Sequence, residues 1–566
     1  MTEPRNKLPI RETAGWSAEA AAAAPKIAAL LAVADLPEPA PVPVVAYQSH
    51  GKLLIIGQAE AALQWADSLA GQLQVNVLIA SGGGSAALPL VRSYPVYSGG
   101  NVKIAGYLGA FDVTWEQANP IDLARDQRFD LVLDLSVEPL IKLHQPPQGY
   151  FAPGRDPLMQ AEAARQLATM TGEFEKPKFF VYRANICAHS RNEMTGCTQC
   201  IDVCSTAAIS ADGDHVKVES HLCMGCGACA SVCPSGAMTY AYPRVADFGA
   251  RLKTLLATYS KAGGSEACVL FHSATDGRDL VERLGRRGKG LPARVIPLEA
   301  FHIASLGIDT LLGAIAYGAA QVAVVSTGAE APEYLLSLKR EMRYAQQILT
   351  ALGYGEGHLR LIESADSGAL EAAIWGLPAA PGAPPAAPFN LSNEKRTTLD
   401  FIFDHLLRHA PQPREEIALT AGAPYGEVVV DKQKCTLCMA CVGACPESAL
   451  LDSKERPQLR FIERNCVQCG LCEKTCPEDA IRLTPRLLLT KQFKAEVVLN
   501  EAEVFACIKC GKPFATRQMI DNMLGRLGKH SMFAEPGALE RLKMCADCRV
   551  IDLMQNAKHG SIHDLK

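Results

Sequence analysis

Cysteine is the residue that most constrains what this chain can fold into. Of the 21 cysteines in its 566 residues, 20 fall into short groups, namely four groups of four and two CxxC pairs. Disulfide frameworks of this density belong to small secreted domains, whereas a chain of this length has room for about three to five domains. We therefore expect the grouped cysteines to bind metal in a reducing compartment.

The four larger groups share the spacing C-x2-C-x3-C over their last three cysteines. Three read C-x2-C-x2-C-x3-C and are followed by proline, and the first reads C-x9-C-x2-C-x3-C and is followed by Ser205. Thiolates are soft ligands that suit iron–sulfur clusters, and glycine in MGCGAC and VQCGLC lets the backbone pass close to inorganic sulfide. Zinc sites favour two separated CxxC pairs, so the spacing predicts iron–sulfur clusters. The members are Cys187, Cys197, Cys200 and Cys204; Cys223, Cys226, Cys229 and Cys233; Cys435, Cys438, Cys441 and Cys445; and Cys466, Cys469, Cys472 and Cys476.

These runs strongly resemble those of bacterial-type ferredoxins that hold two [4Fe–4S] clusters, over residues 180–242 and 425–485. In that family the fourth cysteine of each run ligates the other cluster. The resemblance implies four clusters and their ligand sets. The sets are Cys187, Cys197, Cys200 and Cys233; Cys223, Cys226, Cys229 and Cys204; Cys435, Cys438, Cys441 and Cys476; and Cys466, Cys469, Cys472 and Cys445.

The first run departs from the family pattern. Nine residues, AHSRNEMTG, separate Cys187 from Cys197, and Ser205 replaces the proline. A [3Fe–4S] cluster or a ligand such as His189 is open here, but we favour four cysteine ligands with the insertion as a surface loop.

Two CxxC pairs, Cys507–Cys510 and Cys545–Cys548, stand near the end of the sequence. Four thiolates in two pairs suit tetrahedral zinc, so we predict a structural zinc site. A mononuclear or clustered iron site and free thiols are the alternatives; a thioredoxin-type redox pair is disfavoured because two matching pairs occur together.

Two proline-rich stretches, 36–43 and 376–388, divide the chain. We expect a multidomain protein of α/β and α+β class, in which two ferredoxin-like two-cluster modules accompany two parallel-sheet α/β domains and a small C-terminal metal-binding domain. The predicted segments are a mobile leader (1–45), a degenerate Rossmann-like α/β domain (46–178), a two-cluster module (179–245), an α/β domain (246–375), a linker (376–395), a helix (396–424), a second two-cluster module (425–486) and the CxxC domain (487–566).

The first α/β domain opens like a dinucleotide-binding turn. Residues 52–56 predict a strand, 59–73 a helix and 75–79 a second strand, with a later strand at 130–135. The fingerprint requires three glycines, but only Gly57 is present, and Ala59 and Ala62 take the other places. We therefore favour a structural domain over a flavin- or nucleotide-binding one.

The second α/β segment, 266–364, alternates four apolar strands with three helices, which predicts a parallel sheet. Its LLGAIAYGAAQVAVVS stretch is loosely similar to the small subunit that couples hydrogenases to heterodisulfide reductases, which implies a docking fold. That family carries several cysteines here, whereas this segment has Cys268 alone, which we expect to be a core residue.

The net charge of −4 and the absence of a basic block argue against nucleic-acid binding. Residues 17–34 are alanine-rich, but Glu19, Pro25 and Lys26 interrupt them, which indicates a surface helix or mobile leader, not a signal peptide or membrane span. We thus expect a cytoplasmic protein that does not span the membrane.

The sequence shows no Ser–His–Asp, HExxH or P-loop pattern. We expect an electron-transfer subunit of the polyferredoxin type that is not an enzyme on its own and serves a partner oxidoreductase. The chain also looks like ferredoxin-type proteins that accompany molybdenum-dependent formate dehydrogenases, which implies such a partner. A flavin-containing oxidoreductase subunit and a redox-sensing scaffold are the alternatives.

Overall fold

The computed structural model describes residues 9–80, 92–117, 127–378, 382–528, 530–533 and 537–556. Residues 1–8 of the predicted leader, 379–381 of the predicted linker and 557–566 of the predicted CxxC domain lie outside this set. Two sheets covered by helices alternate along the chain with two small cysteine-rich modules. Among the described helices, none combines the length and apolar character that crossing a bilayer requires.

The first sheet has seven strands among the described residues. Helices Ala59–Leu69 and Pro157–Ala168 cover one of its faces. Side chains alternate between the faces, so Leu53 and Ile55 contact these helices while Leu54 and Ile56 belong to a second core on the other side. The predicted strand–helix–strand of this region is confirmed. In spatial order the strands are Gln127–Phe129, Ala110–Gln117, Val96–Tyr107, Gln74–Ala80, Lys52–Gly57, Leu131–Asp134 and Tyr150–Phe151.

The prediction of an all-parallel sheet is wrong for one edge of this first sheet. Strand Val96–Tyr107 is parallel to Gln74–Ala80, but it pairs antiparallel with Ala110–Gln117. The strands Val96–Tyr107 and Ala110–Gln117 are joined by a two-residue turn in which Gly109 has a φ of 82°. A parallel neighbour would require a crossover of a dozen or more residues. The glycine-rich sequence VYSGGNVKIAGY carries no continuous apolar run, so it gave no signal of a strand.

The second sheet confirms the four parallel strands predicted for its segment. Their order is Val295–Ala300, Cys268–Ser273, Gln321–Ser326 and Leu359–Glu363. Cys268 is fully buried in the core on one face, as predicted. The helices of this domain are Val245–Lys261, Asp276–Arg287, Ile308–Ala316, Pro332–Ala351 and Ser367–Trp375.

Of the two alternatives predicted for the N-terminal segment, the surface helix is correct and the mobile leader is wrong for residues 24–34, which pack on the second domain. Helix Ala24–Ala34 contacts helix Val245–Lys261, and Leu30 is buried in the shared core. Lys26 is also fully buried and donates from Nζ to the carbonyls of Leu291, at 3.0 Å, and Pro292, at 2.9 Å. A lysine in an alanine-rich helix usually lies in solvent, so the sequence pattern was misleading here.

The described part of the predicted linker is not a free spacer either. Leu391 is buried in the core of the second domain, and its backbone N–H donates to the hydroxyl of Tyr317 at 2.9 Å. Lys253 Nζ donates to the carbonyls of Pro388, at 2.7 Å, and Phe389, at 2.9 Å. The helix predicted over 396–424 is present as Lys395–Arg408, but it ends at Arg408, and Glu416–Ala418 is a strand. The helix's buried residues in the same core are Leu399, Ile402, Phe403 and Leu406.

The remaining elements are short. A ribbon of Val44–Ser49 and Gly172–Pro177 flanks the first sheet, and strands Glu416–Ala418 and Val497–Glu501 extend the second cysteine-rich module. The described residues of the C-terminal region form the ribbon Val504–Ala506 with Pro513–Thr516 and three α-helices. These helices are Arg517–Leu527, Ala538–Arg541 and Ala546–Asn556. Single-turn helices are Arg11–Gly15, Ala20–Ala23, Ala184–Ile186, Ile303–Ser305, Glu463–Asn465, Lys491–Lys494 and Ser531–Phe533.

Docking of the N-terminal helix is expected to depend on pH through Lys26. Burial lowers the pKa of Lys26 from 10.5 to about 7, although Glu19 opposes this effect. Between those two pH values the docked segment binds fewer protons than the undocked one, so docking strengthens as the pH rises from about 7. Lys26→Met should remove this dependence. Hydrogen exchange of the amides of residues 24–34, corrected for the intrinsic rate at each pH, measures the opening free energy. If the opening free energy of Lys26→Met changed with pH as it does in the wild type, the assignment of this pH dependence to Lys26 would be wrong.

Candidate metal centres

The two cysteine-rich modules have the same local architecture, which confirms the predicted internal repeat. In each module an antiparallel strand pair closes the fold, a hairpin lies between the cysteine runs, and two short helices carry the third cysteine of each run. In the first module these elements are Phe180–Tyr182 with Met238–Tyr240, Ile209–Asp212 with His215–Val218, and helices Gln199–Asp202 and Ala228–Val232. In the second they are Gly426–Val430 with Ile481–Leu488, Leu450–Asp452 with Gln458–Phe461, and helices Ala440–Ala444 and Leu471–Thr475.

Left-handed residues wind the backbone around each C-x2-C-x2-C segment. Gly225 and Gly227 have φ values of 80° and 78°, and Gly470 has 81°. Glycine adopts this left-handed conformation without strain, whereas the reason given for it in the sequence, close approach of the backbone to sulfide, stays a prediction. The third run makes the same turns with Leu437 and Met439, at 55° and 61°, although neither residue is glycine. Side chains in this conformation are strained, and the sequence gave no sign of it.

Sixteen cysteines come together as four sets. In each module the fourth cysteine of one run lies with the first three of the other. Three sets line a cavity each; in the other, the thiol of Cys200 lies among Cys187, Cys197 and Cys233. We name them set A (Cys204, Cys223, Cys226, Cys229), set B (Cys187, Cys197, Cys200, Cys233), set C (Cys445, Cys466, Cys469, Cys472) and set D (Cys435, Cys438, Cys441, Cys476).

Backbone N–H groups donate to the last cysteine of three runs. The N–H of Met238 lies 3.4 Å from Cys233 Sγ. The N–H groups of Ala449 and Ala480 lie 3.3 Å from the Sγ atoms of Cys445 and Cys476. Such bonds stabilise negative charge on sulfur, and they fit thiolates that ligate a cationic iron centre.

Burial and mutual repulsion make most of these thiols hard to ionise on their own. Burial first, and neighbouring cysteines next, raise the pKa of Cys441 to about 12. Burial also raises the pKa of Cys226 and of Cys466 to about 12, although backbone and side-chain donors oppose it. Four packed thiolates therefore need a compensating cation, and the donor sets fit iron–sulfur clusters in this respect.

The nine-residue insertion of the first run folds into a small hairpin of Ser190–Arg191 with Met194–Thr195. At its base the N–H of Cys197 donates to the carbonyl of Ala188 at 2.9 Å, which brings Cys197 next to Cys187. His189 is buried, and its Nδ1 lies 3.0 Å from the carbonyl oxygen of Cys197. The Nδ1 atom of the ring thus contacts the backbone, which supports the four cysteines of set B, without His189, as the proposed ligands.

Cations that the sequence analysis missed bind the carbonyls of the cysteine runs. Lys176 Nζ donates to the carbonyl of Cys223 at 2.8 Å, and burial lowers the pKa of Lys176 to about 8 despite the neighbouring Cys223 and Glu219. Lys395 donates to the carbonyl of Cys233 at 3.1 Å, and Arg396 to that of Cys466 at 3.0 Å. Lys395 and Arg396 are the first two residues of the helix Lys395–Arg408, at the end where the helix dipole favours acidic residues. Two cations in this place were the signal in the sequence that could have indicated their contacts.

The two C-terminal CxxC pairs also converge. The Sγ atoms of Cys507, Cys510, Cys545 and Cys548 all lie within 4.8 Å of one another. Burial raises the pKa of Cys507, but backbone N–H groups of residues 545, 510 and 509 outweigh it and lower the pKa to about 6. This region lies beside set D, because Thr516 Oγ1 donates to the carbonyl of Thr436 at 3.3 Å. The group can hold one metal ion.

Comparison with known proteins agrees with this geometry. Residues 195–237 and 434–480 match the family model described as a 4Fe-4S dicluster domain. The first match begins after Cys187, so the first cysteine of set B and most of the insertion precede it. No curated protein matches the chain.

Proposed function

We propose that this chain, which contains two 4Fe-4S dicluster domains, carries electrons for a partner oxidoreductase through four [4Fe–4S] clusters. The observation that carries the proposal is the convergence of sixteen cysteines into four sets of four. Bound clusters would each accept and release single electrons. The polypeptide would hold them, exclude water from them and set their potentials.

The crossed ligand sets are part of the proposal. Set A and set B would each hold one cluster in the first module, and set C and set D one each in the second. The cavities lined by sets A, C and D and the neighbours of Cys200 support this assignment. The N–H donors at Cys233, Cys445 and Cys476 would stabilise the reduced, more negative form of each cluster, as would Lys176 beside Cys223.

We assign a structural zinc ion to Cys507, Cys510, Cys545 and Cys548. The support is the spacing of the four Sγ atoms, which fits tetrahedral zinc. A mononuclear iron site has the same ligand geometry, and metal analysis distinguishes the two. Zinc would be redox-silent and would hold the short elements of this region together.

The alternatives have less support. A flavin in the first α/β domain would need space at the turn after strand Lys52–Gly57, but a Cβ added at Gly57 would lie 2.9 Å from that of Leu135. A redox sensor would expose its clusters, whereas among the sixteen cysteines only Cys438 is exposed. We propose the cytoplasm as compartment and a molybdenum-dependent formate dehydrogenase as the first partner to test, on the family likeness alone.

Protein purified anaerobically should contain about 16 iron atoms and about 16 acid-labile sulfides per chain, because four cubane clusters are proposed. Colorimetric iron and sulfide assays on fully loaded protein check this number. A fully loaded sample with about eight irons would remove one module from the proposal.

Alkylation of cysteines distinguishes crossed from uncrossed ligation. In Cys233→Ala, loss of one cluster should leave Cys187, Cys197 and Cys200 open to alkylation, while Cys223 and Cys226 stay protected. The matched variant Cys229→Ala should expose Cys204, Cys223 and Cys226 instead. Mass spectrometry of the anaerobic proteins reads out both patterns. Exposure of Cys223 and Cys226 in Cys233→Ala would contradict the crossed assignment.

Replacing Cys510 and Cys548 with Ser should remove about one zinc ion per chain and leave the iron content unchanged. Zinc binding energy is folding energy in a region with so small a core, so residues 500–555 should become sensitive to protease. Elemental analysis and limited proteolysis check both effects, with Cys268→Ala as the control that should change neither. Retention of zinc, or loss of iron with a change in redox response, would overturn the assignment.

A further inference from the structure

The hairpin in the first cysteine run contacts the other module. Lys474 Nζ donates to the carbonyl of Thr195 at 2.6 Å, and Thr475 Oγ1 lies 3.3 Å from Met194 Sδ. A Cβ added at Gly196 would lie 2.7 Å from Leu471 Cγ, so the backbone of the hairpin touches the helix Leu471–Thr475 directly. That helix carries Cys472 of set C.

A second set of contacts joins the same two modules from the helix Lys395–Arg408. Lys395 Nζ donates to the carbonyl of Cys233, in set B, at 3.1 Å. The next residue, Arg396, donates to the carbonyl of Cys466, in set C, at 3.0 Å. These contacts and those of the hairpin therefore join the first module to the second at two places.

The cysteines themselves lie in a consistent order across this junction. Cys229 of set A lies close enough to Cys200 of set B for their thiols to interact electrostatically, and the same holds for Cys472 of set C and Cys441 of set D. Between the modules, Cys197 of set B has Cys469 of set C as a neighbour. The order of adjacency is A, B, C and D.

We propose that the hairpin of residues 188–196 is a docking element that locks the two modules together at sets B and C, so that the four sets form a single line. The proposal rests on the proposed function for its meaning, because the line is useful only if each set holds a cluster. An electron that crosses from set B to set C would oxidise one cluster by one electron and reduce the other by one, with no bond made or broken and no proton moved. The inserted residues would thus form the contact between two otherwise separate ferredoxin-like modules.

Lys474→Asp tests the contact between the hairpin and the helix Leu471–Thr475. The native ammonium donates to the Thr195 carbonyl, whereas the carboxylate of Asp would repel that carbonyl oxygen. Hydrogen exchange at residues 188–196 and 471–475 of the full-length holoprotein should rise about tenfold, the effect of losing one charge-assisted hydrogen bond. Met194→Lys, which places a second cation near Lys474, should have the same effect from the other side of the contact. Lys454→Asp, on the exposed turn of the second module's own hairpin, is the matched control and should leave exchange unchanged.

A redox measurement on the same proteins gives the second readout. After photoreduction with less than one electron per chain, electrons should redistribute between the modules more slowly in Lys474→Asp and Met194→Lys than in the control. The iron content of all variants should equal that of the wild type. Unchanged exchange at both segments in Lys474→Asp and Met194→Lys would overturn the docking role. If the wild-type protein contained no clusters, the proposed function would be wrong. The hydrogen-exchange measurement would still test the docking contact in that case.

Discussion

The packing of sixteen cysteine thiols into four tight groups is the constraint on which the rest of this structure depends. The two modules have small cores in which cysteines are prominent members, as in the core of Cys435, Cys441, Cys466 and Cys472 with Val428 and Leu459. Burial first, and neighbouring cysteines next, raise the pKa of Cys441 and of Cys472, so the ionised forms of these thiols need a compensating cation. Metal binding by the modules would therefore be coupled to their folding, and the surrounding residues supply N–H and cationic donors around the cysteines.

The second α/β domain provides the rigid frame for both modules. Its core extends without interruption into the helix Lys395–Arg408 and on to Tyr425, Leu487 and Phe493 of the second module. On the first module's side, Val203, Ala228 and Val232 pack against Ala304, Ala331 and Tyr334 of the same domain. A parallel sheet with helices on both faces deforms little, so the positions of the two modules relative to each other are set by packing as well as by the hydrogen bonds between them. The likeness to a hydrogenase-linked small subunit implied a docking fold, and the docking seen here is to the modules of the same chain.

Three peripheral parts of the molecule contact the second domain or the two modules. The N-terminal helix covers one side of the second domain with a buried lysine, which is costly unless both carbonyls at the docking site accept from it. The first α/β domain reaches the first module through Tyr47 and Lys176, which both donate to the carbonyl of His221 at 2.7 Å. At the opposite end, the group of four C-terminal cysteines lies next to set D through the contact of Thr516 with Thr436. The two ends of the proposed line of clusters are thus covered by different parts of the chain.

The sequence by itself determined which residues can act as metal ligands, because ligand spacing is a local property. It predicted the repeated cysteine runs and the paired C-terminal CxxC motifs. It also predicted the buried Cys268, the helix after the second proline-rich stretch and the four parallel strands of the second sheet. Only the tertiary structure decided what depends on contacts between residues distant in the chain. The antiparallel edge of the first sheet follows from a turn at Gly109 in a stretch without an apolar pattern. The docking of Lys26 against the carbonyl of Leu291, and the contact of the 188–196 hairpin with Lys474, join residues more than 250 positions apart. No periodicity or motif encodes such pairs, because each partner taken alone has the sequence of an ordinary exposed loop or helix.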